Sequence, residues 1–174
     1  MILCRHVLAA FPLLWCALGA LASTDIQYSV ADRPWPEGLG NQRAVISIPA
    51  TAPAVRIQLL WRRHDAHVDQ RRLLLVHAVN GDTISHIRRI RVDREVCDIV
   101  AGPVVHPGEY YLYYLSYDVV PGWGYYSGDY LPREFPAPQV WLREGVVKKE
   151  VEREAQNAAI PKARILGIQA RTAF

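Results

Sequence analysis

In PGEYYLYYLSYDVVPGWGYYSGDYL, residues 107–131, the chain concentrates eight of its nine tyrosines. The first half, EYYLYYLSY, follows a Pro-Gly turn and is rich in aromatic residues, which favour strands. One face of this strand would carry Tyr111, Tyr113, Leu115 and Tyr117, and the other Tyr110, Leu112 and Tyr114. When a strand carries large rings on both faces, we expect other parts of the protein to cover both faces. We therefore expect most of these tyrosines to be core, with hydroxyls reaching polar groups at the rim.

The second half of the stretch, PGWGYYSGDYL, has closely spaced glycines that predict a loop. Rings in a loop are candidates for stacking against sugars, and a carboxylate among them adds a hydrogen-bond acceptor. The candidates for contact with carbohydrate are Trp123, Tyr125, Tyr126, Asp129 and Tyr130. A loop whose rings pack only against one another fits the same residues. Both interpretations stay open on sequence.

Short apolar runs elsewhere predict further strands. DRPWPEGLGNQR (32–43) is too rich in Pro and Gly for a regular element and predicts an ordered loop anchored by Trp35. After it come AVISI (44–48), AVRIQLLW (54–61) and RLLLVHAV (72–79). Asn80-Gly81-Asp82 then signals a hairpin turn, with TISHIRRIRV (83–92) as one returning strand. These spacings predict an all-β fold, an antiparallel β-sandwich. On the returning strand, we expect a solvated face made of Ser85, Ile87, Arg89 and Arg91.

The C-terminal part predicts one helix and one more strand. Apolar residues recur at helical spacing from about Val140 to Ala158, so we expect a helix packed on the sandwich by a narrow stripe. KARILGIQARTAF then predicts a strand that stops abruptly at Phe174, so we expect the domain to be incomplete at its C-terminus. The apolar residues expected near an unfinished, aggregation-prone edge are Ile165, Leu166 and Ile168.

Residues 1–23 have the layout of a secretory signal peptide. Arg5 and His6 precede an apolar run, and small residues around Ala22 form a cleavage site. The run is shorter than the roughly 20 residues of a membrane span. We expect an exported protein, periplasmic or extracellular, with no stable membrane span after cleavage. Residues 24–174 then fit one domain, whose lone Cys97 makes no disulfide within the chain and is expected to be buried.

Residue types that carry catalysis or bind metals are scattered. The carboxylates weighed as catalytic groups are Asp93, Glu95, Asp98, Asp118, Asp129 and Glu134. Asp93 and Glu95 share a strand face, but the arginines beside them favour structural ion pairs. His64 and His67 have no third ligand nearby, so we predict no metal site. Charges of both signs are mixed along the chain, so we expect no nucleic-acid partner. No cofactor fingerprint occurs, and no cofactor is expected.

Four stretches together resemble the N-terminal domain of glycoside hydrolase family 123 proteins. They are DRPWPEGLGNQRAVI, PGEYYLYYLSY, GWGYYSGDYL and KARILGIQARTAF, and the resemblance spans about residues 26–174. It implies a β-sandwich that precedes a barrel domain, which hydrolyses β-linked N-acetylgalactosamine with an adjacent Asp and Glu assisting the substrate's acetamido group. This chain has no such pair in a barrel context, and a (β/α)₈ barrel takes about 200 or more residues. No catalytic residue is therefore carried over.

The resemblance leads to three hypotheses of function. The first is a non-catalytic accessory β-sandwich of an exported family 123-like protein, which supports a missing catalytic barrel and contacts glycan. The alternative is a free-standing carbohydrate-binding module that uses the loop aromatics. A third, an independent small hydrolase relying on Asp129, has the least support in the sequence. The partners expected are a glycan and the catalytic domain of full-length relatives.

Overall fold

Strands make up most of the structure. The computed structural model describes residues 26–120, 127–143 and 160–172. In chain order the strands are β1 (Tyr28–Val30), β2 (Gln42–Ile48), β3 (Val55–Leu60), β4 (Leu74–His77), β5 (Thr83–Ile84), β6 (His86–Val92), β7 (Val96–Gly102), β8 (Gly108–Tyr113), β9 (Tyr117–Val120), β10 (Ser127–Tyr130) and β11 (Arg164–Ala170). The helices are α1 (Gln139–Arg143) and the 3-10 turns Glu37–Leu39 and Val68–Gln70. The predicted all-β class is confirmed.

Two sheets lie face to face. The larger has the order β1-β11-β2-β8-β4-β5 and is antiparallel except between β1 and β11, and the smaller has the order β3-β7-β6 and is antiparallel throughout. Alternate residues of both sheets point into a shared core. Its most buried large side chains include Ile46, Ile57, Leu59, Ile99 and Leu112. The predicted antiparallel sandwich is confirmed.

The tyrosine-rich strand β8 is covered on both faces, as predicted. Tyr110 and Tyr114 lie in the shared core, and Tyr113 on the opposite face is only 5% exposed. The hydroxyl of Tyr110 donates to the carbonyl of His106 at 2.5 Å, and that of Tyr114 donates to Gln42 Oε1 at 3.2 Å. Burial raises the pKa of Tyr114 well above its usual value. These rings are structural.

The outer face of the larger sheet is covered by the loop at 32–41, which Trp35 anchors as predicted. Trp35 is buried, and its Nε1 donates to the carbonyl of Gly40 at 2.7 Å. The guanidinium of Arg43 lies 4.4 Å from the centre of the Trp35 ring and 3.5 Å from that of Tyr111. It also donates to the hydroxyl of Tyr113 at 3.1 Å. Because its guanidinium stacks on two rings, the charged side chain of Arg43 can cover this face of the larger sheet.

The run predicted as one returning strand is two strands in different sheets. β5 pairs with β4 in the larger sheet, and β6 pairs with β7 in the smaller, with Ser85 between them. Strands that change sheet make the corners of a sandwich. The expected solvated face is also wrong in part, because Ile87 is 5% exposed in the core and the Arg89 side chain is 6% exposed. A bulge between Arg89 and Arg91 breaks the alternation, and Arg91 is exposed as expected.

Around Val100, the outer face of the smaller sheet is covered by α1. Trp141 packs with Ala54, Val100 and Ile160, and its Nε1 donates to the carbonyl of Pro53 at 3.3 Å. Every residue of β7 is buried. The predicted packing of a helix on the sandwich is confirmed for residues 139–143. The rest of the predicted helix, from residue 144 to 158, lies outside the described residues.

The strand after Pro161 is confirmed, but it does not lie at a sheet edge. β11 is hydrogen-bonded to β1 on one side and to β2 on the other. Ile168 is 4% exposed, whereas Leu166 is 39% exposed at a bulge in the pairing with β2. The expectation of an unfinished edge is therefore wrong for Ile168, which pairs with β1, a parallel strand from the N-terminal side.

Two glycines with positive φ allow a matched test of the loop at 32–41. Gly40 (φ 85°, ψ −179°) has a conformation largely restricted to glycine, and an added Cβ would lie 2.5 Å from the carbonyl oxygen of Leu115. Gly81 (φ 77°) in the β4–β5 turn has open space around it. We expect Gly81→Ala to cost about 1–2 kcal/mol of unfolding free energy. Gly40→Ala should cost more in denaturant unfolding, and equal losses would contradict the packing described for this loop.

Candidate functional site

The structure places two of the five predicted carbohydrate-contacting residues, Asp129 and Tyr130, on a two-stranded hairpin beside the sandwich. Asp129 and Tyr130 belong to β10, which pairs with β9. Residues 127–130 are therefore strand rather than loop. Trp123, Tyr125 and Tyr126 fall in the connection at residues 121–126 and lie outside the described residues, so their predicted role stays a prediction.

Strand pairing sorts the hairpin residues into two faces. Tyr117 is directly opposite Tyr130, and Asp118 is directly opposite Asp129. Directly opposite residues of an antiparallel pair share a face, with Cβ atoms about 5 Å apart. The tyrosines therefore lie on one face and the aspartates on the other. Asp129 therefore has a carboxylate neighbour, Asp118, that the sequence alone does not identify. Only the register of the two strands brings the two side chains together.

The tyrosine face is fixed to the sandwich. The hydroxyl of Tyr117 donates to Glu37 Oε1 at 3.2 Å. The guanidinium of Arg71 lies 4.1 Å from the centre of the Tyr130 ring, a cation–π distance. Tyr130 is 38% exposed, and its hydroxyl makes no hydrogen bond within residues 26–120, 127–143 and 160–172. The ring of Tyr130 is therefore partly exposed to solvent while Arg71 keeps it in place.

Arg71 is held in turn by a buried ion pair. Arg89 donates from Nε and Nη2 to the two carboxylate oxygens of Glu134, at 2.7 and 2.6 Å. Its Nη1 donates to the carbonyl of Asp69 at 2.7 Å and its Nη2 to that of Arg71 at 2.5 Å. Glu134 also accepts from the backbone N–H of Leu73 at 3.1 Å. One guanidinium therefore joins the segment after β10 to the backbone that carries Arg71.

The carboxyl of Glu134 stays ionised despite its burial. Burial alone would raise its pKa, but the hydrogen bonds and charge of Arg89, with the backbone donors, outweigh that effect. The net result is a pKa below the ordinary value of 4.5. The pair therefore acts as a fixed structural clamp at neutral pH, not as a proton-transfer group.

Asp118 and Asp129 are both exposed to solvent. Like charges directly opposite one another in a sheet are destabilising, so nothing in the pairing itself favours this arrangement. Together they offer several acceptor sites to hydroxyl donors. Among the described residues, this pair forms the acidic face of the hairpin.

Two other carboxylates weighed from sequence are held by arginines. Asp98, only 5% exposed, accepts two hydrogen bonds from Arg56 at 2.9 and 2.7 Å. Asp93 accepts from Arg91 Nε at 2.6 Å and from the backbone N–H groups of Glu95 and Val96 at 2.8 and 3.0 Å. The structural ion pairing predicted for Asp93 is confirmed.

Over the described ranges, no three side chains among His, Cys, Asp and Glu converge to bind a metal ion. None of the helices within those same ranges has the length and apolar character needed to cross a bilayer.

Comparison with known families identifies the domain. A family model described as Glycoside hydrolase 123, N-terminal domain, matches residues 33–171. The chain belongs to this family. The match confirms the resemblance that the four stretches indicate, and it covers both sheets apart from β1. Searches of curated proteins and of solved structures found no match.

The Arg89–Glu134 clamp of this glycoside hydrolase 123 domain makes a testable contribution to the free energy of unfolding. Glu134→Gln leaves Arg89 buried without a counter-charge, and we expect a loss of about 3 kcal/mol in unfolding free energy at pH 7. Because the folded pKa of Glu134 is lowered, the stabilisation should be complete above pH 4.5 and should shrink as pH falls through the folded pKa. Denaturant unfolding of both proteins across this pH range measures it.

The exposed pair Arg91–Asp93 provides the control. The side chain of Arg91 is 66% exposed, so Arg91→Gln should cost less than about 1 kcal/mol. Equal losses for Glu134→Gln and Arg91→Gln, or a Glu134→Gln deficit that persists unchanged in acid, would contradict the clamp.

Proposed function

We propose that this chain is the non-catalytic accessory β-sandwich of an exported glycoside hydrolase 123-type protein. The observation that carries the proposal is the family match to an N-terminal domain, which extends over both sheets of the sandwich. A domain of this description works beside a further domain. The catalytic barrel implied by the family resemblance is the partner that we propose.

The environments of the described carboxylates support a non-catalytic role. Asp93, Asp98 and Glu134 are each bound by a neighbouring arginine that holds strands or segments together. Asp118 and Asp129 lie on an exposed hairpin. A glycosidase general acid relies instead on a pocket that raises its pKa. Asp118 and Asp129 lie opposite one another, but on an exposed strand face rather than in such a pocket.

The hairpin is the proposed point of glycan contact. The ring of Tyr130 is exposed and fixed by Arg71, which provides a flat apolar surface for a sugar. Asp118 and Asp129 supply acceptors for sugar hydroxyls on the opposite face. Trp123, Tyr125 and Tyr126 follow β9 and precede β10 in sequence, outside the described residues, and are proposed as further stacking rings.

The same features favour a second candidate, a free-standing carbohydrate-binding module. It differs in needing no catalytic domain for its role. The exposed ring of Tyr130 supports it equally, so genetic context discriminates between the two. A gene that encodes no barrel with paired carboxylates beside this domain would favour the module.

Alanine substitutions in the hairpin test glycan contact. We expect the full chain to bind glycans on an array, and Trp123→Ala, Tyr126→Ala and Tyr130→Ala each to weaken binding about tenfold, because truncated stacking rings cost this much at binding sites. Phe135→Ala removes an aromatic side chain that is 88% exposed outside the hairpin and should leave affinity unchanged.

Two results would count against these assignments. Glycan binding that survives alanine at Trp123 and Tyr126 would remove the hairpin as a contact site. Turnover of an aryl β-N-acetylgalactosaminide by the purified chain, abolished by Asp129→Asn, would show that the domain is catalytic.

Export predicts a defined mature N-terminus. We expect intact mass measurement of protein recovered from the periplasm or the medium to give a chain beginning at Thr24, without Cys4 and Cys16. Leu13→Arg interrupts the apolar run and should block export and cleavage. A chain that retains Met1 and stays with the cells would contradict the signal peptide.

A further inference from the structure

A concave surface of the sandwich shares no lining residue with the hairpin. An open groove of about 710 Å³ is formed by β1 and by residues of β3, β6 and β7, and we refer to it as the β1–β3 groove. The residues that decide its chemistry are Tyr28, Gln58, Leu60, Arg62, Arg91 and Glu95. Its volume falls in the range of small-ligand sites, which combine apolar surface with a few polar groups.

One wall of the groove is apolar and exposed. Tyr28 is 70% exposed and Leu60 is 66% exposed. The hydroxyl of Tyr28 makes no hydrogen bond in the part of the chain that the structure describes, unlike the hydroxyls of the buried tyrosines. A flat ring beside an aliphatic side chain is suited to the apolar face of a sugar ring.

The polar side chains of the groove keep their hydrogen-bonding capacity. Gln58, Arg62 and Glu95 are exposed, and their side chains make no hydrogen bond or ion pair to any other described residue. An amide, a guanidinium and a carboxylate together offer both donors and acceptors. This combination matches hydroxyl groups, which donate and accept at once.

The floor of the groove is rigid. Trp61, 2% exposed, donates from Nε1 to the carbonyl of Asp93 at 2.8 Å. The Asp93 carboxylate accepts from the backbone N–H groups of Glu95 and Val96. The backbone hydrogen bond from Glu95, then Arg91 and the N–H of Val96, hold the pKa of Asp93 below its usual range. Glu95 is therefore presented from a fixed turn, which lowers the entropy cost of binding.

Charges in and around the groove cancel. Arg91 is paired with Asp93, and Asp98 is paired with Arg56. The charged lining groups outside these pairs are Arg62 and Glu95, one of each sign. A polyanion such as a nucleic acid would need a net positive surface, so the groove favours an uncharged ligand.

We infer that the β1–β3 groove binds a neutral oligosaccharide, with Tyr28 stacking on a sugar ring and Gln58, Arg62 and Glu95 bonding its hydroxyls. An extended peptide added to the edge of β3 is less suited to the site. The backbone of Arg56 is already paired with residues 161 and 163, so only the short stretch from Gln58 to Leu60 lies beyond that pairing. A peptide strand of ordinary length would find few partners there.

Binding of the full chain to an array of neutral oligosaccharides, built from hexoses and N-acetylhexosamines, tests this inference. For each bound glycan, calorimetry should show about tenfold weaker affinity for Tyr28→Ala and for Glu95→Gln. Tyr28→Phe keeps the ring and should keep affinity within about twofold, since hydrogen bonding by this hydroxyl is not required. In labelled protein, the side-chain amide of Gln58 should shift on titration. Thermal unfolding checks that each variant folds.

The outcomes separate this site from the hairpin. Loss of binding in Tyr28→Ala but not in Trp123→Ala supports the groove and counts against the hairpin. The reverse pattern overturns the groove and leaves glycan contact at the hairpin intact. The groove proposal is also overturned if the unaltered chain binds no array glycan, or if an extended peptide binds at Gln58 instead. The accessory role is tested separately, by turnover.

Discussion

The burial of β7 on both faces is the constraint on which the rest of the structure depends. Its inner residues Cys97, Ile99 and Ala101 lie in the core between the sheets, and on its outer side Val100 packs under Trp141. A three-stranded sheet cannot bury its middle strand without a layer on each side. The larger sheet supplies one layer, and on the outer side α1 covers Val100 while Arg56 pairs with Asp98. The chain must therefore cross between the layers, and one of its crossings is at Ser85. Another lies near residues 160–163, where the backbone pairs with Arg56 before the chain enters β11.

Arginine side chains cover parts of the two sheets that apolar side chains do not cover. Arg56 neutralises Asp98 on the outer face of the smaller sheet, and Arg43 stacks on Trp35 and Tyr111 outside the larger one. Arg89 joins β6 to two other segments, residues 69–71 and the segment that carries Glu134. A buried guanidinium needs every donor matched, so these positions specify geometry more than they add free energy. The free thiol of Cys97 adds no crosslink. Burial raises its pKa to about 12, so it behaves as a small apolar side chain, as its sequence context predicts.

The sequence predicts this fold wherever a local pattern decides the outcome. The Asn80-Gly81 turn, the covered strand at β8 and the Trp35 anchor all follow from side chains and turn residues close together in the chain. The failures involve relations between distant segments. TISHIRRIRV contains nothing that marks a change of sheet at Ser85, and Arg89 looks solvated until Glu134, 45 residues later, is placed against it. The same applies to the candidate site, because the pairing of Asp118 with Asp129 depends on register across the hairpin.

The hydroxyl groups separate the tyrosines that hold the fold from those available to a ligand. Tyr110, Tyr113, Tyr114 and Tyr117 each have a hydroxyl hydrogen-bonded to another part of the sandwich. Tyr28 and Tyr130 are the exposed tyrosines of the described residues, and in that part of the chain neither hydroxyl is bonded. A buried ring needs its hydroxyl satisfied, whereas a stacking ring needs only an open face. The abundance of tyrosine in residues 107–131 therefore reflects mainly the double burial of β8, and exposure rather than ring density indicates where a sugar would bind.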